Sequence, residues 1–81
     1  MNHSDVRLMY PQYRKLSNNK SFYKIVSKDA FEEIQLVGSS VITTNTNASK
    51  YPEILRIKDM LDGVAPFEIS TEAEYDSQNK A

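Results

Sequence analysis

Acid–base and nucleophilic chemistry near neutral pH draws first on histidine and cysteine, and this chain of 81 residues has one histidine, His3, and no cysteine. His3 stands in a polar leader, residues 1–8, where nothing would fix its geometry, so it is expected to be an exposed spectator. Ser-His-Asp and Cys-His arrangements are thereby excluded. The run Gly38-Ser39-Ser40 puts a serine at a turn, but it lacks the Gly-x-Ser-x-Gly elbow and any evident base. Two glycines in the whole chain are too few to write a P-loop or a dinucleotide loop.

Two carboxylate pairs remain. Glu32 and Glu33 are adjacent, so on a strand they point to opposite faces and cannot share a metal. Asp59 and Asp62 would share a helix face, but no oxygen-rich calcium loop follows them. A solvated helix face is the expected role of that second pair. No catalytic, cofactor-binding or metal-ligating residue is assigned, and the chain is expected not to be an enzyme.

One pattern does suggest a surface. With a two-residue loop at Asn18-Asn19, antiparallel register sets Tyr13 opposite Lys24, Lys15 opposite Phe22 and Ser17 opposite Lys20. One face then interleaves Tyr13 and Phe22 with Lys15, Lys20 and Lys24. Aromatic rings beside cations are how sheet surfaces stack single-stranded nucleic acid. The competing account is that cross-strand cation–aromatic pairs stabilise the hairpin, and this simpler account is preferred. The opposite face pairs Arg14 with Tyr23 and Gln12 with Ile25.

The elements that must position these residues follow from local pattern. Residues 9–16 read as a strand, with Pro11 confining it to a sheet edge, and residues 21–27 as its hairpin partner. Residues 27–32 suggest one helical turn capped by Ser27. Glu33-Ile34-Gln35-Leu36 alternates as a half-buried strand, and 41–44 resumes in β-type residues after Gly38. One long bulged strand or a second hairpin fits that stretch equally.

Pro52 at a first helical position and Gly63 just past an end bracket a helix over 52–61, with Ile54, Leu55, Ile57, Met60 and Leu61 on one broad face. A strand is the weaker alternative there. Acids at 59 and 62 oppose the helix dipole; Arg56–Asp59 and Lys58–Asp62 pairs, the basic hairpin, or a basic partner would offset them.

Charge divides the chain. Residues 1–28 carry a net +5 and residues 29–81 a net −6, which suggests either a basic binding surface or two halves that attract each other. No run approaches the ~18–20 consecutive apolar residues of a membrane span, and the polar leader lacks a signal-peptide core, so a cytoplasmic protein is expected.

The fold expected is α+β: a three- or four-stranded antiparallel sheet, hairpin first, with one helix on a face. Residues 1–66 would form that single small domain, with residues 1–8 loosely ordered, and residues 67–81 a mobile acidic tail. The expected role is a non-catalytic protein-interaction or structural module, self-associating or binding another protein. Single-stranded nucleic acid at Tyr13, Lys15, Lys20, Phe22 and Lys24 is the alternative. No cofactor, membrane or small-molecule substrate is expected.

Overall fold

The computed structural model describes residues 9–78. It is an α+β fold with five strands and two helices: β1 (Gln12–Leu16), β2 (Ser21–Ser27), β3 (Ala30–Val37), β4 (Ser40–Asn47), α1 (Tyr51–Asp62), β5 (Phe67–Ile69) and α2 (Glu72–Gln78). The strands form one sheet in the order β4-β3-β2-β1-β5, antiparallel throughout. The leader, with His3, lies outside the described residues.

Strand β2 explains why a sheet of this size holds together. Phe22 is buried on one face and Tyr23 and Ile25 on the other, the pattern of a central strand covered on two sides, and only Val26, near its end, stays exposed among its aromatic and β-branched residues. On one face Tyr23, Ile25 and Phe31 pack with Ala48 and with Ile57 and Met60 of α1. Tyr23 meets Phe31 and Phe67 edge to face, at centroid distances of 6.0 and 5.6 Å, the arrangement that aromatic quadrupoles favour. On the other face Phe22 and Ile34 pack with Tyr75 of α2. Each fully buried large apolar side chain contributes about 1.5–3 kcal/mol, so both helices are needed to close so small a core.

Helix α1 begins and ends as its residues dictate. Pro52 sits in the first turn, and Gly63 takes the left-handed conformation at φ 71°. From there Gly63 N–H donates to Met60 C=O and Val64 N–H to Asp59 C=O, which is a Schellman termination. Ile57 and Met60 are buried, whereas Ile54 and Leu55 stay partly exposed, so the inward stripe is narrower than the five-residue face expected.

Several expectations are corrected. Strand β1 is internal, between β2 and β5; it starts at Gln12, after Pro11, so proline costs the ladder no hydrogen bond. Residues 27–32 form no helical turn. Ser27 pairs with Ala30 across a tight turn in which Ser27 Oγ accepts from Asp29 N–H, so the side chain closes a hairpin and caps no helix. Gly38 and Ser39 join β3 to β4 with glycine first at φ 62°, the arrangement of a type II′ turn, so this stretch is a hairpin of two strands and not one bulged strand.

Among the described residues the strands number five and the helices two. The described part of the acidic tail is ordered as β5, paired with β1, and α2, seated on the sheet through Tyr75. Thin apolar content did not prevent docking, because one aromatic ring carries it and hydrogen bonds complete it.

Candidate functional site

The β1–β2 connection runs over four residues, Ser17-Asn18-Asn19-Lys20, where two were expected. Asn19 takes φ 60° and donates its N–H to Leu16 C=O, while Asn18 Oδ1 accepts from Lys20 N–H. Ser17 and Lys20 leave the ladder, but the register of the strands is the one that a loop centred on Asn18-Asn19 dictates. Tyr13 stands opposite Lys24 and Lys15 opposite Phe22, as the hairpin pattern predicts.

Those residues do share a face, and α2 lies on it. Phe22 is 3% exposed, inside the cluster with Ile34 and Tyr75. The Tyr13 ring meets the Tyr75 ring at 5.7 Å, tilted by 54°. Lys15 Nζ donates to Glu74 Oε2 at 2.9 Å, and Lys24 stands opposite Glu32 in the register of β2 and β3. Lys20 is exposed in the turn.

Electrostatics follow this packing. Burial raises the Tyr13 hydroxyl above its ordinary pKa, and Glu72, Asp76 and Glu32 raise it further. The Tyr75 hydroxyl is pushed up strongly by burial and by its 3.0 Å hydrogen bond to Glu32 Oε1. The Glu74 carboxyl lies below the usual range, held there by Ser70 Oγ and then by Lys15. As folded, the basic and aromatic hairpin face is matched to an acidic helix of the same chain.

The other face contains a residue whose role the sequence did not disclose. Arg14 is buried, and its Nε donates to Met60 C=O at 2.7 Å and its Nη2 to Leu61 C=O at 3.3 Å. Nη1 donates to Tyr13 C=O, and Nη2 also to Gln12 Oε1. The last turn of α1 carries no basic residue of its own, so β1 supplies the cation that its carbonyl end favours. Burial lowers the Arg14 pKa, yet arginine starts high enough to stay charged.

Lys58 does pair with Asp62, at 2.8 Å. Arg56 turns instead to the sheet, where it covers the rings of Tyr23 and Phe31, donates to Tyr23 Oη at 3.1 Å and lies 3.6 Å from Glu33. Glu32 and Glu33 therefore serve opposite faces, one bonded by Tyr75 and the other beside Arg56.

A second surface arises from topology. Leu36 N–H donates to Lys20 C=O, so the even residues of β3 bond toward β2 and its odd residues toward β4. Residues 31, 33, 35 and 37 face 46, 44, 42 and 40, which directs the backbone groups of those β4 residues inward. Val41, Thr43 and Asn45 consequently aim N–H and C=O away from the sheet. This edge is eight residues long and contains no charge and no proline, the devices that ordinarily blunt an edge strand. Beside it Val37 and Ile42 are about half exposed, at 50% and 45%. At the opposite side of the sheet, β5 is three residues long and carries Glu68.

A cavity of about 300 Å³ lies between α1 and the β2–β3 turn, lined by Tyr10, Ile54, Ile57 and Leu61 with Lys28, Lys58 and Asp62. Tyr10 Oη is buried without a hydrogen-bond partner among the described residues. Among those residues no group of three His, Asp or Glu side chains is placed to hold a metal, and no helix is long and apolar enough to cross a membrane. Comparison with protein families, with curated proteins and with solved structures finds no match for this chain.

Proposed function

We propose that this chain is a non-catalytic protein-interaction module that receives a strand from another chain along the open edge of β4. The observation that carries the reading is the outward row of backbone donors and acceptors at Val41, Thr43 and Asn45, unguarded by charge or proline. An added strand would satisfy those groups and cover Ile42. The helices support the reading by their placement, since they pack chiefly over β1, β2 and β5 and leave β4 accessible. Single-stranded nucleic acid on the hairpin face is the weaker reading, because Phe22 is buried and Lys15 already holds Glu74.

The test is site-specific photo-crosslinking in cells. A photoreactive residue at Thr43 is expected to give discrete protein adducts, and one at Lys20, in the remote β1–β2 turn, is not. Equal labelling from both positions, or none from Thr43, would overturn the proposal.

A further inference from the structure

The geometry points to a second copy of this chain as the strand that completes the β4 edge, an inference that rests on the edge-docking role proposed above. The first support is register. Only strand pairings that set outward backbone groups against outward groups form a ladder, and here those groups belong to Val41, Thr43 and Asn45. A twofold axis through Thr43, normal to the sheet, meets that condition. It sets Thr43 opposite Thr43 of the second copy and Val41 opposite Asn45, each as a hydrogen-bonded pair. Ile42 falls opposite Thr44 in the closer, non-bonded pair. The sheets then continue into one of ten strands, with α1 of both copies on the same side.

Charge is the second support. All eight β4 side chains are neutral, so the twofold arrangement brings no like charges together at the axis. A charged foreign strand would find no counter-charge on β4, whereas the chain's own β4 needs none. The third is clearance. Helix α1 lies over β1 and β5 and α2 over the central strand β2, so among the described residues neither helix stands in front of the outer edge of β4. Edge pairing with Ile42 and Val37 alongside is small beside the roughly 1,200–2,000 Å² of a standard interface, so the dimer is weak and depends on concentration.

The experiment uses the full chain. Sedimentation velocity from about 10 μM to about 1 mM, the span in which a weak interface associates, is expected to show monomer giving way to dimer. T43K, at an exposed position, sets lysine against lysine on the axis and is expected to remain monomeric while keeping the native circular dichroism spectrum. Because the chain has no cysteine, T43C introduces a lone thiol that meets its own mate at a Cα separation of about 5.5 Å, within disulfide reach. N45C places the two thiols four residues out of register. Oxidation is expected to give covalent dimer from T43C and not from N45C.

Wild-type protein that stays monomeric at the highest concentration overturns the inference, as does dimerisation unaffected by T43K or equal crosslinking of both cysteine variants. The two levels separate cleanly. Crosslinks from Thr43 to a different protein, with a monomeric purified chain, overturn self-pairing and leave the edge-docking role standing. An absence of any adduct at Thr43 overturns both.

Discussion

Arg14 brings a guanidinium from β1 to the carbonyl end of α1, 46 positions away in the chain. Replacement by methionine keeps most of the apolar stem and removes every donor, leaving the Met60 and Leu61 carbonyls without that partner. R14M is expected to cost about 1.5–3 kcal/mol in urea unfolding, the range for hydrogen bonds to a charged group. R14K should recover only part of this, because an ammonium cannot reproduce the planar fork. The alternation that puts Arg14 on the same face as Tyr23 was readable from the hairpin pattern. Its acceptors were not, since no local signal says which helix end will come to rest above a strand.

Glu74 gives a second prediction at this scale. Its carboxyl is lowered in the folded chain by Ser70 Oγ and Lys15 Nζ. A depressed folded pKa adds stability above the unfolded value of about 4.3, and that stability is lost as pH falls through the folded value. Tyr75 ring signals in NMR should therefore report loosening of α2 in the acid range, and E74Q should flatten that limb. For a partly exposed pair the effect at neutral pH is about 0.2–1 kcal/mol.

Among the elements, α2 is the one whose position depends most on a single side chain. Tyr75 is 3% exposed, buries its ring against Phe22, Ile34 and Tyr13, and donates to Glu32. Y75A is expected to cost about 3 kcal/mol or more and to raise amide exchange throughout 72–78, whereas Y75F should cost about 1 kcal/mol. Equal costs for the two variants would show that the hydroxyl, and not the ring, holds the helix.

The hairpin β1–β2 and helix α1 were legible because period, proline and glycine agreed there. Strand β5 was not, since three residues are too few to show a period and its pairing with β1 is set by α1 bringing the chain back. Helix α2 was undervalued for a related reason: counting apolar residues misses a helix docked by one tyrosine and an ion pair to the opposite half of the chain.

For the whole molecule, the split between a basic first third and an acidic remainder is met in part internally. Lys15 with Glu74 joins the two halves across the sheet face that the sequence marked as a candidate surface. That surface was legible in its residues and register but not in its occupancy, which depends on where α2 lands. The open edge was hidden for a different reason. Whether a Thr- and Asn-rich strand ends up inside a sheet or at its border is a property of strand order, and strand order is not written in any one strand.

The most direct test of β4 as an open edge that pairs with a second copy is residue-resolved amide hydrogen exchange in dilute and concentrated protein. In dilute solution Ile42, Thr44 and Thr46, bonded to β3, should be protected, while Val41, Thr43 and Asn45 exchange freely; at high concentration those three should gain protection together. Uniform exchange along β4, or outward amides that exchange equally fast at both concentrations, would contradict the account.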